Sequence, residues 1–329
     1  MKATAIAPAN IAFIKYWGKA DPLTRVPQNN SISMNLSELY TMTTIEFNDL
    51  FTEDSITFLD ESVIKEAEIF KITNALDRIR IYAGVTPYAK VVTRNNFPKA
   101  TGIASSASGF AALTMAALSA LGNDTSDKNE LSRLARQFSG TACRSISDGF
   151  VEWEKGHDHE SSYATQIFPP DWWEIRDVVA IVTEEMKAVG STEGHAIADT
   201  SSLYEARLAS VDAKILSIKD AMRRKDFSAF GRILEEDSFN MHAVALTSAP
   251  PLVYWEPQTI AIIKTVFQLR ASGKAEAYVT IDAGPTVHVI CQAKDAEKII
   301  EKLNGIPGIL HVVVNAPAQG AHLIQDHLF

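Results

Sequence analysis

"PKATGIASSASGFAALTMAAL", residues 98–118, begins with a proline, a glycine and three serines and then becomes an uninterrupted small-apolar run. The run predicts a helix from about Ser105 to Leu121, stopped by Gly122. Two readings of its entrance are open. Serines before an apolar run are ordinary helix caps. A turn that aims successive amide N–H groups inward, in front of a helix's positive dipole end, is also an anion nest. Gly102 permits a close backbone approach, Ser105 and Ser106 add hydroxyl donors, and Ala104 and Ala107 leave space. No GK[ST] follows, so the loop is not of the Walker type.

The rest of the chain has to decide. With 329 residues, 46% hydrophobic and 22% charged, it can bury a large core as one big domain or two lobes. Its net charge of −9 argues against a general nucleic-acid or anionic-membrane binder, so a bound anion must meet a local cluster of cations and amides. Cys143 and Cys291 are too few for a disulfide framework and lack metal-ligand spacing. Pro8, Asn10 and Lys15 break the first apolar stretch, which does not read as a signal peptide, and no run is long enough for a membrane span. A cytoplasmic protein is expected.

Strands are expected at "TAIAPANIAFIKYW", "YTMTTIEFND", "YAKVVTRNNFP", "DVVAIVT", "EAYVTIDAG", "TVHVICQ" and "ILHVVVN". Helices are expected at "ESVIKEAEIFKITNALDRIRIYAG", at "SDKNELSRLARQFSG" with Asp127 and Glu130 as a capping pair, twice within 201–240, from "PPLVYWEPQ" to Gly273, and at "KDAEKIIEKLNG". Strands and helices are mixed without regular alternation, which predicts an α+β fold, with a lobe boundary near residue 180.

Three further stretches carry chemistry. In "PANIAFIKYWGK" (8–19), Lys15 and Lys19 would share a face of a strand, with the Tyr16 hydroxyl beside them; ordinary solvated lysines are the plain alternative. "SGTACRSISDGFVEW" (139–153) gathers Ser139, Gly140, Thr141, Arg144 and Ser145, either a compact anion-donor set or a capping turn. In "YVTIDAGPTVHV" (278–289), Asp282 closes an apolar strand that Ala-Gly-Pro breaks, so its carboxylate points into a cleft or caps a turn. His242, His288, Trp172 and Trp173 read as packing or cleft-lining groups and "EKGHDHE" (154–160) as a surface loop; Cys143 beside Arg144 is open to activation in principle, but its partner set suits phosphate binding better.

Taken together, these stretches resemble the GHMP kinase superfamily and, within it, the mevalonate diphosphate decarboxylases. The phosphate motif P-x-x-x-G-x-x-S-S falls on Pro98, Gly102, Ser105 and Ser106, and "NIAFIKYWGK", "NNSIS" (29–33), "SGTACRS…GFVEWEKG" and "DAGP" follow in the family's order across essentially the whole chain. The resemblance implies a GHMP kinase fold with a deep cleft between two lobes, 1–180 holding ATP and 181–329 completing the site. It implies a loop of Pro98, Gly102, Ala104, Ser105, Ser106 and Ser108 around ATP, with Mg²⁺ arriving alongside and no dedicated metal ligands. Asp282 and Lys15 fall on the catalytic positions; Tyr16, Lys19, Ser139, Gly140, Thr141, Arg144, Ser191 and Thr192 fall on or near those holding substrate phosphates and carboxylate.

The implied reaction is ATP-dependent decarboxylation of a phosphorylated mevalonate, in a homodimer, with diphosphate as the expected tail and 5-phosphomevalonate, or a kinase that stops at phosphorylation, as alternatives. Phe138 stands where relatives commonly carry a small residue, Thr141 for a serine, Thr286 for an asparagine, His195 for a methionine and Thr192 for an arginine found in some bacterial members.

Overall fold

In "YTMTTIEF" (40–47) β-branched and apolar residues make a strand buried on both faces, its threonines included, and this strand organises the molecule. The computed structural model describes residues 1–60, 65–97, 105–183 and 189–329, together with the backbone but not the side-chain environment of Ser105. In chain order the strands among the described residues are β1 (Lys2–Ile14), β2 (Lys19–Asp21), β3 (Val26–Pro27), β4 (Ser31–Asn48), β5 (Ser55–Phe58), β6 (Tyr88–Asn95), β7 (Phe150–Trp153), β8 (Ala164–Phe168), β9 (Ile175–Ile181), β10 (Ala277–Thr280), β11 (Val287–Gln292), β12 (His311–Asn315) and β13 (His322–Ile324). The α-helices are α1 (Glu66–Ala83), α2 (Ser105–Ala120), α3 (Lys128–Phe138), α4 (Ser191–Ala196), α5 (Tyr204–Arg224), α6 (Phe227–Thr247), α7 (Pro257–Ala271) and α8 (Ala296–Asn304).

A first sheet runs β13-β1-β4-β6-β5, with β7 beside the opening residues of β4 and β8 beyond it. All its pairings are antiparallel except β5 with β6. A second, wholly antiparallel sheet runs β10-β11-β9-β12. Strands and helices therefore mix as expected of α+β. The register of β1 on β4 slips between Pro8 and Asn10. Across that slip the odd-numbered side chains change cores: Ala3, Ala5 and Ala7 pack with α2, whereas Ala9, Ile11 and Phe13 pack with β9, α5 and α6. The surplus residues of that irregularity lie on β4 between Asn35 and Tyr40, and Asn10, just past it on β1, reaches the turn at 140–145.

The small residues of β1 meet Ala111, Ala112, Ala116 and Ala117 of α2, so backbone approaches backbone closely. The second core joins both sheets through Ile11, Met34, Val179, Ile218 and Phe230.

Local signals held in most places. Gly122 adopts φ +77° just past α2, and Asp127 accepts from the amides of Asn129 and Glu130 at the start of α3. Glu130 does not complete a capping pair; its carboxylate turns to Arg133 at 2.5 Å. The helix expected from Pro250 begins only at Pro257, because proline suits a first helical turn, has no N–H to bond a carbonyl one turn back, and holds Glu256 before it in extended backbone. β1 ends at Ile14, short of Trp17, since Gly18 turns the chain with φ +91°. Lys15 and Lys19 thus stand on different elements rather than on one strand face. Pro98, Gly102 and Ala104 of the serine loop, and residues 61–64 of the expected first helix, lie outside the described residues.

Candidate active site

Lys15 leaves the end of β1 with its side chain only 2% exposed and its Nζ 2.5 Å from Asp282 Oδ1 and 2.9 Å from the Ala12 carbonyl. Asp282 keeps 23% exposure, so the pair presents an oxygen rather than an ammonium to the cleft. Burial pulls the Lys15 ammonium below its usual pKa, and the Asp282 carboxylate partly counters it. Burial alone would raise Asp282, but the Lys15 charge and hydrogen bond, helped by His288 and Arg144, hold it below the ordinary carboxylate value.

One helix sets both members. On α6, Asp237 Oδ2 accepts from the Lys15 backbone N–H at 2.7 Å, Ser238 Oγ accepts from the Ile281 N–H at 2.9 Å, and His242 Nε2 donates to the Ile281 carbonyl at 3.2 Å. Arg207 on α5 completes the clamp: its Nη1 lies 3.0 Å from Asp237 Oδ1 and its Nη2 donates to the Lys15 carbonyl at 2.9 Å, with both side chains fully buried. Asn29 Nδ2 also donates to that carbonyl at 2.9 Å, and Thr280 Oγ1 reaches the Ala12 carbonyl at 3.0 Å. Sequence reading missed Arg207, Asp237 and Ser238. For the two α6 residues a signal was present in "EEDSFNMHAVAL" (235–246), where Ser238 and His242 stand four apart on one helix face; Arg207 lies outside that stretch.

His242 also supplies a pH test. Burial, with the Lys15 charge second, drops its pKa to about 3. The unfolded chain therefore takes up this proton below the ordinary value of about 6.5 while the folded chain refuses it until about pH 3. Stability attributable to His242 is lost as pH falls through that window, at up to about 1.4 kcal/mol per unit. His242→Gln, which keeps a donor for the Ile281 carbonyl, is expected to flatten the acid side of a urea-stability profile between pH 6 and 4; an unchanged slope counts against the assignment.

The 3₁₀ turn Gly140–Ser145 faces this pair. Arg144 is 1% exposed, donates from Nε to Asn10 Oδ1 at 3.1 Å and from Nη1 to Ser31 Oγ at 3.0 Å, and has no carboxylate in ion-pair range among the described residues. Burial works against its charge and Asp282 supports it from the cleft. A buried guanidinium held by neutral oxygens is a site for an anion. Asn10 also donates to Ser145 Oγ and the Thr141 carbonyl, which ties "NIAFIKYW", "NNSIS" and "SGTACRS" into one framework.

Tyr16 lies against Trp153, with ring centroids 4.6 Å apart, and its buried hydroxyl has no hydrogen-bond partner among the described residues. A Cβ on Gly140 would stand 3.2 Å from that hydroxyl, so a side chain there would crowd the oxygen. Ser106 Oγ on α2 lies 3.2 Å from Ser139 Oγ, bringing the serine helix to the edge of the same turn. Ser108 points away: it is fully buried, with its Oγ 2.7 Å from Thr41 Oγ1. A cavity of about 130 Å³, lined in part by Thr41, Thr93, Asn95, Ser106 and Phe110, opens beside the start of α2.

The short α4 comes in over Tyr16. His195 stacks on its ring at 4.1 Å and 29°, and accepts from the Gly18 N–H through Nδ1 at 2.9 Å. Ser191, one turn earlier, is half-buried; Thr192 is exposed. Lys19 stands on β2 and is half-exposed.

Other groups keep structural surroundings. His288 Nδ1 meets Asp177 Oδ2 at 2.7 Å in the second sheet, Trp172 stacks on Phe168, Trp173 lies in the shared core, and the Cys143 thiol is pushed up to about 12 by burial.

A buried arginine with no carboxylate partner, a tyrosyl hydroxyl unpartnered among the described residues, the start of α2 at Ser106 and an aspartate–lysine couple lie around one cleft. The fold that carries them is of the GHMP kinase type. The chain belongs to the diphosphomevalonate decarboxylase family. Residues 7–164 match its model "Diphosphomevalonate decarboxylase-like N-terminal domain", and residues 177–315 match "Mevalonate 5-diphosphate decarboxylase C-terminal domain". The chain is 38% identical to the diphosphomevalonate decarboxylase of Ganoderma lucidum over 91% of this chain and 80% of that one. The mevalonate diphosphate decarboxylase of Staphylococcus aureus superposes with a TM-score of 0.93 at 37% identity, covering 98% of both chains. A solved complex of MDDEF with MVAPP, AMPPCP and magnesium superposes at 0.92 with 36% identity, covering 99% of both.

Proposed function

We propose that this protein converts (R)-5-diphosphomevalonate to isopentenyl diphosphate, with ADP, phosphate and CO₂ as the other products. The observation that carries the residue assignment is the Lys15–Asp282 couple facing the unpaired, buried Arg144. Tertiary hydroxide is a poor leaving group. ATP, when bound, supplies the phosphoryl group that makes the C3 oxygen leave. As the C3–O bond breaks, its electron pair departs with phosphate; the C1–C2 pair becomes the C2=C3 double bond and CO₂ is released.

Asp282 orients the C3 hydroxyl and accepts its proton late, since a carboxylate held below its ordinary pKa is a weak base. A loose phosphoryl-transfer transition state asks little of a base and much of positioning. Lys15 balances that carboxylate and faces the charge that develops in transfer. Arg144 holds the substrate carboxylate, while Tyr16, Lys19, Ser139, Gly140 and Thr141 hold the phosphate tail, with Ser191 and Thr192 at its edge. ATP is held by the Pro98–Ser106 loop, and the cavity beside α2 supports a nucleotide at that end. Ser108, in the same motif, ties α2 to β4 through the Thr41 hydroxyl.

Among the described residues no three His, Cys, Asp or Glu side chains gather as a metal cage. Phosphate oxygens and the Ser106 and Ser139 hydroxyls fit the hard-oxygen needs of Mg²⁺. The two-lobe division near residue 180 belongs to this reading: the first sheet draws on residues 2–168 and the second on 175–315, with β13 returning to the first. No described helix is long and apolar enough to cross a membrane. A cytoplasmic homodimer completes the proposal, and the outward Phe70 and Ile81 of α1 support a partner face.

Incubation with ATP, Mg²⁺ and, separately, mevalonate, its 5-phosphate and its 5-diphosphate tests the reading. Equal ADP and CO₂ from the diphosphate is expected. The same yield from the monophosphate alone would move the assignment to that substrate, and ADP without CO₂ would make the protein a kinase.

A further inference from the structure

Arg25 occupies the turn between β2 and β3 with φ +58°, in the left-handed region that glycine and asparagine fill more easily. The turn is fixed from both sides. Asp21 accepts from Leu23 N at 2.8 Å and from the Thr24 hydroxyl, and the fully buried Arg136 takes the Thr24 carbonyl at 3.0 Å. Strain of this kind persists only where surroundings over-determine it. The Arg25 side chain runs inward to donate from Nε to the Gln137 carbonyl at 3.1 Å, two residues before Ser139. Arg78 of α1 reaches the Gln137 side chain at 3.3 Å from the other side. Among the described residues, Lys19, Arg25 and Arg78 form no ion pair, although the protein carries nine excess negative charges. The turn's own carboxylate, Asp21, is already engaged by Leu23 and Thr24.

The Arg25 charge also acts on the site itself. It opposes the effect of burial on the Tyr16 hydroxyl more strongly than Arg144 does, and it lowers the pKa of its neighbour Lys19. Arg25 is in turn lowered by burial, with Tyr16 supporting its charge and Arg78 opposing it. Like charges held together without a counterion cost free energy that an arriving anion recovers.

We infer that Arg25 is a specificity-determining residue that binds the outer phosphate of the substrate's tail and so favours a diphosphate over a monophosphate. The inference rests on the proposed activity for its substrate. It requires only that an anion of pyrophosphate type sits between Tyr16, Lys19 and Arg25.

The test compares wild type, Arg25→Asn and Arg25→Lys. Asn relieves the left-handed backbone while removing the charge, so thermal stability should hold or rise. KM for 5-diphosphomevalonate should increase about 10- to 100-fold in Arg25→Asn, with a far smaller change in kcat and in KM for ATP. Arg25→Lys should recover part of that loss. Inorganic pyrophosphate binding, followed by calorimetry, should weaken in parallel. An unchanged tail KM, a defect confined to ATP, a loss that tracks lowered thermal stability, or no benefit from lysine would each overturn the role. Wild-type protein that binds pyrophosphate through Arg25 but releases no CO₂ would leave the anion site standing and remove the proposed reaction instead.

Discussion

Replacing Asp282 by asparagine should lower kcat by about 10²-fold or more while ATP still binds within a few-fold of wild type. The amide keeps the size of the side chain and can still accept a bond from Lys15, but it cannot receive the C3 hydroxyl proton. It also leaves the buried Lys15 ammonium without its counter-charge, and that ammonium is already pulled down by burial. The lysine should therefore lose its proton more easily, and the variant's residual rate should decline toward high pH earlier than wild type. Single-turnover assays of ADP and CO₂, beside nucleotide titration, separate these effects. Lost ATP binding, or a near-normal rate, would remove Asp282 from the chemistry.

The second large effect concerns stability. Arg207→Met should cost about 3–5 kcal/mol, because it strands the Asp237 carboxylate where water cannot reach it. Lys214, 3.6 Å from Asp237, offers only a partial substitute. The same change frees the Lys15 carbonyl from one of its two side-chain donors, so kcat should fall in the protein that remains folded. Urea unfolding with an unchanged m-value and a lowered midpoint would report the first effect. A shift below about 1 kcal/mol would mean that the pair is not the clamp described above.

Much of this site was legible because its polar groups sit in odd company. Lysine and tyrosine directly after an apolar strand, Arg144 beside a glycine turn, and Asp282 before Ala-Gly-Pro all break local pattern. The α+β class followed from periodicity, and the long strand, the alanine helix and its Gly122 stop kept their places. Less visible were β7, β8 and β13, short strands whose pairing partners lie far away in sequence. Continuing β1 through Trp17 failed because only the backbone at Gly18 shows that the strand is over; a Cβ there would overlap the Tyr204 hydroxyl. Asp237 and Ser238 were hidden for a different reason. They look like solvated helix residues until α6 is laid across the end of β1, and that crossing is a tertiary fact.

The couple at the centre of the cleft joins residues 267 positions apart, one from the first strand and one from the turn after β10. On the ribosome, the amino-terminal half emerges first and can begin to fold, yet it carries a lysine with no partner and a strand end with no clamp. Arg207 and Asp237 must follow before Lys15 has a settled backbone, and Asp282 before there is anything to catalyse with. Last comes β13, which lies along Thr4–Ile6 and seals the edge of the very strand that began the chain. The couple and the edge of β1 are therefore completed only by residues from the far part of the sequence.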